Sequence, residues 1–223
     1  MGAKLEYVWW PQRKDFVEKS VGTGNCDLLL SVPAAMDDVL VTRPYYDSTY
    51  VFVSRADRHL NISSLVDPRL AEYRIGIHVV GDDYAPPGFV LARRGLSANI
   101  RSFSLFGKAQ DPNPPAHIIE AVRRGDVDVA IVWGPLAGYY AKAPGAALQI
   151  TPVTPSSFLA VPFTYQVSAA VAWNNESLRS EVDQVLGREC TAIQALLAEY
   201  GVPRVTEENS RCESLPSPPV ASH

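Results

Sequence analysis

GDVDVAIVWGPLAGYY, residues 125–140, decides how this chain is read. Its middle, residues 127–133, is a near-continuous apolar run of strand length, the pattern of a parallel strand covered on both faces. Gly125 stops the element before it, and residues 135–142 suit a short helix. Upstream, Pro114 and Pro115 open a helix where proline's missing N–H costs nothing. Ile118, Ile119 and Val122 then recur at helical spacing. Further back come a strand at 74–80, a loop reading GDDYAPPG, a helix at 87–94 closed by Gly95, and a strand at 100–105. Residues 148–153 add a strand downstream. Strands and helices in alternation predict a small parallel sheet with helices on its faces.

The flanks carry fewer elements. LEYVWW at 5–10 reads as a strand halted by Pro11, and 14–21 as a short helix ended by Gly22. CDLLLSV at 26–32 reads as a second doubly buried parallel strand, and 37–43 as a polar-edged connection. Residues 45–54 and 163–173 are rich in β-branched and aromatic residues and predict strands. A helix is expected over 177–200, bent near Gly187, with an apolar stripe of Leu178, Val182, Leu186, Ile193, Leu197 and Tyr200. Residues 206–223 are polar and Pro/Ser-rich and are expected to form a loosely ordered tail.

The central block is self-sufficient, and the flanks need each other. The expected organisation is a discontinuous lobe 1 (4–54 and 163–205) with lobe 2 (55–162) inserted in it. Two strands, near 45–54 and 159–168, cross between the lobes and form a hinge over a cleft. In open α/β sheets ligands sit beyond the carboxyl ends of the strands. Here those ends are Trp9-Trp10-Pro11, Ser31-Val32-Pro33, His78 to Tyr84, and Trp133-Gly134-Pro135.

Composition sets limits. With 47% hydrophobic and 20% charged residues, a chain of 223 residues buries a substantial core. A net charge of -4 argues against nucleic-acid binding through a basic surface. No stretch reaches the roughly 18 apolar residues of a membrane span. The start, Met1-Gly2-Ala3, has no secretion-signal pattern and reads as one from which a signal has been removed. The three cysteines form no C-x-x-C pair, so no zinc site is expected. Cys190 and Cys212 are near enough to close a loop worth about 3 kcal/mol as a disulfide. The plain alternative is that Cys190 is a buried thiol on a helix. Catalytic patterns are thin: Ser102, Ser104 and Ser168 lack a nucleophile elbow, and no phosphate-binding glycine loop occurs. Asp82-Asp83 is a poor cage for calcium, which wants six or more oxygens. No metal or cofactor is expected.

Four motifs in order, GNCD (24–27), TRPYY (42–46), IGIHVVGDDYAPPG (75–88) and GDVDVAIVWGPLAGYY (125–140), resemble the type II periplasmic solute-binding proteins. That group includes the amino-acid receptors of ABC transporters. Within it the chain is most similar to the quinoprotein-dehydrogenase-associated branch, the MoxJ/XoxJ-like proteins of bacterial methanol-oxidation clusters. The resemblance covers about residues 4–205, and the pairing of GDDYAPP with VDVAIVWGPLAGYY is specific to that branch. It implies a periplasmic protein of two lobes that assists a PQQ-dependent alcohol dehydrogenase in maturation or activation, the chemistry being the dehydrogenase's.

Two departures from the wider family stand out. Type II proteins begin with a strand and helix ahead of LEYVWW; here those are expected to be missing from lobe 1, by truncation or processing. Amino-acid receptors also grip the ligand carboxylate with an arginine before the hinge and its ammonium with an acid after the VDVAI-type strand. This chain reads SVPAAMDDVLVT at 31–42, without arginine until Arg43, and Trp133-Gly134-Pro135 where the acid belongs. Ordinary amino acids are therefore not expected as ligands.

The cleft residues assigned on this basis are Trp9, Trp10, Arg13, Ser31, Pro33, Arg43, Tyr45, Tyr46, His78, Asp82, Tyr84, Trp133, Gly134 and Tyr139. Each has a plainer reading. Trp9, Trp10 and Trp133 line an apolar cavity or simply pack in the core. Tyr84 reaches a ligand or decorates a turn. Arg43 binds an anion or is a surface arginine, and His78 faces a ligand or is a satisfied structural histidine. Two functions fit: an accessory factor binding the dehydrogenase, and an ABC-transporter receptor for a small ligand that is not an amino acid. An accessory factor should show apolar, aromatic surface, and a receptor a compact polar pocket.

Overall fold

The computed structural model describes residues 4–9, 15–106, 111 and 113–205. In chain order its strands are β1 (Leu28–Pro33), β2 (Leu40–Val41), β3 (Tyr46–Arg55), β4 (Ile75–Val80), β5 (Asp83–Tyr84) and β6 (Ile100–Ser104). These are followed by β7 (Val129–Trp133), β8 (Leu148–Pro152), β9 (Ser157–Phe158), β10 (Val161–Pro162) and β11 (Thr164–Val171). The α-helices are α1 (Pro86–Arg93), α2 (His117–Arg124), α3 (Gly134–Ala141), α4 (Glu176–Arg188) and α5 (Cys190–Glu199). The chain forms two compact units. Of the described residues, unit 1 holds those up to Asp47, Tyr165–Leu196 and 204–205, and unit 2 holds those of Ser48–Thr164 and Leu197–Pro203.

Unit 2 is built on a sheet of order β8-β3-β7-β4-β6. Its four helix-linked strands, β4, β6, β7 and β8, run in one direction, because a parallel neighbour requires a crossover and the helices supply it. The all-parallel expectation fails at two strands, because the short β5 runs antiparallel to β4 and β3 is reversed as well. β3 is inserted between β7 and β8 and is antiparallel to both. Alternation along the strands splits the core in two. Phe52, Val129 and Ile131 join Leu65, Leu70 and Leu91 on one face, while Val51, Val53, Ala130 and Val132 meet Ile118, Ile119 and Val122 on the other. Each fully buried Ile or Val of α2 contributes roughly 1.5–3 kcal/mol. Gly125 ends α2 with φ 78°, the left-handed position that glycine adopts without a Cβ penalty.

In unit 1, β11 lies between β1 and β2 and is antiparallel to both. The expectation that residues 26–32 form a doubly buried parallel strand is thus corrected. The neighbour is the returning strand, a bulge between Leu29 and Val32 breaks the register, and Leu30 is 54% exposed. An apolar run cannot by itself tell two covered faces from one. Val21, Leu29, Val32, Val39 and Ala170 form this unit's core. The short helix expected at 14–21 is a π-helical turn, Glu18–Gly22. Residues 4–9 lie outside every strand, with Trp9 89% exposed, so the strand expected at 5–10 is not formed over its described part. A strand needs a partner for its backbone as well as apolar side chains. The expected helix at 177–200 is two helices, broken at Glu189, two residues past the poor helix former Gly187.

Candidate functional site

The assigned residues fall into two groups, one in each unit. Trp10 and Arg13 lie outside the described residues. In unit 1, β1 is distorted at Ser31, whose φ of 60° is strained for a residue with a Cβ. The bulge aims its hydroxyl at Tyr45, with the two oxygens 3.3 Å apart. The Tyr45 and Tyr46 rings meet edge to face at 5.1 Å. The backbone N–H of Tyr45 donates to Val167 O, which fixes this corner to β11. Burial raises the Tyr45 hydroxyl pKa, opposed by its bonds to Ser31. Burial, reinforced by Tyr45, pushes Tyr46 up to about 12, again opposed by Ser31. Both phenols are neutral at physiological pH, so the corner offers three uncharged hydroxyls. Pro33 is exposed at the end of β1.

Arg43 is engaged elsewhere. Its Nε stands 3.7 Å from Asp183 Oδ1, and its backbone N–H donates to the same oxygen at 2.7 Å. Arg179 donates to the other oxygen of that buried carboxylate at 2.7 Å. Trp9 stacks on Tyr7 at 6.1 Å on the surface.

In unit 2 the group occupies three places. The first is the β4–β5 hairpin. His78 is 4% exposed, with Nε2 3.3 Å from Pro115 O. Burial lowers its pKa to about 4, opposed by that hydrogen bond, so it is a neutral, partnered histidine. Asp82 is exposed, and Tyr84 is partly exposed over Gly88. The second place is the β7–α3 junction. Trp133 meets Tyr50 edge to face at 5.5 Å, and Gly134 is buried. A Cβ on Gly134 would come within 2.6 Å of Thr49 O, so its face is filled by backbone. The third is the surface of α3, where Tyr139, 56% exposed, stacks on Tyr200 at 6.1 Å.

Unit 1 carries an open cavity of about 850 Å³ lined by Asp15, Glu18, Asp38 and Trp173 among others, and none of the assigned residues lines it. Trp173 reads in sequence as the end of a strand; only its position beyond β11, opposite the π-helical turn, gives it this role. Cys190 is buried and disulfide-bonded, while Cys212, the partner expected for it, lies outside the described residues. Among the described residues no group of three or more His, Cys, Asp or Glu could hold a metal ion, and no helix is long and apolar enough to cross a membrane.

No protein-family model matches the chain. Solved structures do. MxaJ from Methlophaga aminisulfidivorans MPT superposes with a TM-score of 0.73 at 23% identity, covering 91% of this chain and 86% of that one. The likeness shows the class of fold, that of the type II periplasmic binding proteins. The periplasmic binding protein XoxJ from Methylobacterium extorquens AM1 superposes with a TM-score of 0.70 and is 30% identical, over 92% of this chain and 83% of that one. MoxJ of Methylorubrum extorquens is 29% identical over 222 residues, 94% of this chain and 73% of its own length. The chain belongs to the MoxJ/XoxJ-like branch of the type II periplasmic binding proteins, as the motifs at 75–88 and 125–140 led us to expect.

Proposed function

We propose that this chain is a non-catalytic accessory protein of the periplasm that binds a PQQ-dependent methanol dehydrogenase and assists its maturation or activation. The reading starts from the family, since the MoxJ/XoxJ-like branch belongs to methanol-oxidation clusters. The observation that carries it within this chain is the state of Arg43. Among the described residues assigned to the site it is the one permanent cation, and its Nε lies 3.7 Å from the Asp183 carboxylate, which accepts its backbone N–H. An amino-acid receptor needs a guanidinium free to clamp a carboxylate with two parallel hydrogen bonds. Apart from the exposed Asp82, what remains carries no charge, and its large side chains are aromatic: Tyr45 and Tyr46 in unit 1, Trp133 and Tyr139 in unit 2. Rings with an apolar body and a polar edge are the side chains enriched where proteins meet.

The test is a pull-down of this chain with purified dehydrogenase, paired with calorimetry against amino acids and small polar solutes. A complex with the enzyme, with no heat from the solutes, is the expected result. Tight solute binding without enzyme contact would replace this reading with that of a transport receptor for a small ligand.

A further inference from the structure

Unit 1 holds two buried polar atoms without a hydrogen-bond partner among the described residues, Arg43 Nε and Ser168 Oγ. A buried polar group left unpaired costs free energy, so each calls for an explanation. The sheet of unit 1 brings them to one face. Val41 of β2 pairs with Ala170 of β11, and both side chains enter the same core cluster. Arg43 and Ser168 each stand two residues from that pair, and side chains two apart along a strand share a face. The Thr42 N–H donates to Ala169 O at 2.8 Å and the Tyr45 N–H to Val167 O at 2.9 Å, so Ser168 lies across from Arg43 and Pro44. On its other side Ser168 is paired with Val32 of β1, and it is fully buried. Thr42 Oγ1 is engaged already, donating to Arg43 O at 2.9 Å and accepting the Ala169 N–H at 3.0 Å.

α4 brings the Asp183 carboxylate to Arg43. Its Oδ1 accepts the Arg43 backbone N–H at 2.7 Å but stands 3.7 Å from Nε, too far for a direct hydrogen bond. Its Oδ2 takes Arg179 at 2.7 Å. A carboxylate oxygen has two lone pairs, so Oδ1 can accept a second bond. Gly187 keeps α4 clear of the guanidinium, since a Cβ there would meet only Arg43 Nη1, at 3.8 Å. Arg43 repels a cation from this place, and Asp183 repels an anion. What fits is neutral, accepts the Nε–H, donates to Oδ1, and is small enough to touch two atoms 3.7 Å apart. A polar contact of that length is the usual mark of a bridging water.

We propose that unit 1 binds one internal water between Arg43 Nε, Ser168 Oγ and Asp183 Oδ1, which joins β11 to α4. It accepts the Nε–H, donates to Oδ1 and shares its third bond with the Ser168 hydroxyl, and three bonds are the ordinary complement of a buried water. The inference does not rest on what the protein binds.

Ser168→Ala, made in the full chain, tests it by the sign of its effect. Removing an unpaired buried hydroxyl leaves stability unchanged or raises it, whereas removing one that holds a water costs a hydrogen bond. The expected result is an unfolding constant roughly five-fold larger than that of the wild type, read from urea unfolding. A crystal structure of the wild type is expected to show a water within hydrogen-bond distance of all three atoms. An unfolding constant that is unchanged or smaller, or a map without that water, would overturn the proposal.

Discussion

The Asp183 carboxylate accepts the backbone N–H of Arg43 at 2.7 Å while lying 3.7 Å from the guanidinium of the same residue, across 140 positions of sequence. With Arg179 on its second oxygen, this 5% exposed acid ties α4 to the segment that leads into β3. Removing it leaves the Arg43 N–H without its acceptor and the Arg43 guanidinium without this counter-charge, while Arg179 keeps only Glu176. Asp183→Ala should therefore cost about 3 kcal/mol of stability, read from urea unfolding. Combined with Arg43→Met, the loss should be clearly less than additive. Additive losses would mean that the two residues do not work as a pair.

His78 makes stability depend on pH. Its folded pKa, about 4, lies below the ordinary value of 6.5, because burial disfavours the charged ring. The unfolded chain takes up a proton as pH falls through 6.5, and the folded one does so only near 4. Stability is thus complete above pH 6.5 and declines between 6.5 and 4, by up to about 3 kcal/mol. Urea midpoints at pH 7, 5.5 and 4.5 measure the slope. The difference between wild type and His78→Gln should shrink across that range, and a constant difference would remove His78 as the cause.

How much of this was legible in sequence depended on the range of each interaction. The four parallel strands and three α-helices of unit 2 announce themselves through local periodicity, and α2 begins and ends where its prolines and Gly125 place it. The position of β3 between β7 and β8 is a long-range choice that no local pattern records. The same limit applies to the site. Sequence puts Arg43 near a hinge, but its partner Asp183 sits in a helix 140 positions away, a pairing no local pattern records. Gly134 stands at a strand end, where a ligand is plausible chemistry, yet its face belongs to Thr49 and Pro203. Trp9 shows the converse, since an apolar string is buried only where something covers it.

The cysteines give a prediction about covalent structure. Cys26 is a free thiol at intermediate exposure, and Cys190 is buried. With a bridge between Cys190 and Cys212, the denatured, unreduced protein should titrate one thiol, and the reduced protein all three. Closing that loop contributes about 3 kcal/mol by restricting the unfolded chain, so reductant should lower the urea midpoint. Peptide mapping assigns the pair. Three thiols before reduction would dismiss the bridge.

The β9–β10 hairpin turns on two residues, Leu159 and Ala160, with φ of 51° and 59°. A two-residue loop with both residues left-handed is the turn that Asn-Gly forms without strain, whereas leucine and alanine are each penalised there by about 1 kcal/mol. Leu159 is 52% exposed, so replacing it forfeits little burial. Leu159→Asn with Ala160→Gly should therefore stabilise the protein by about 1 kcal/mol, a rise of roughly 2–4 °C in Tm for a chain of this size. Glycine's extra freedom in the unfolded chain offsets part of the gain, so Leu159→Asn alone, which keeps alanine at 160, separates the two contributions. A fall in Tm for the single variant would mean that the leucine side chain holds the hairpin more strongly than its backbone strains it.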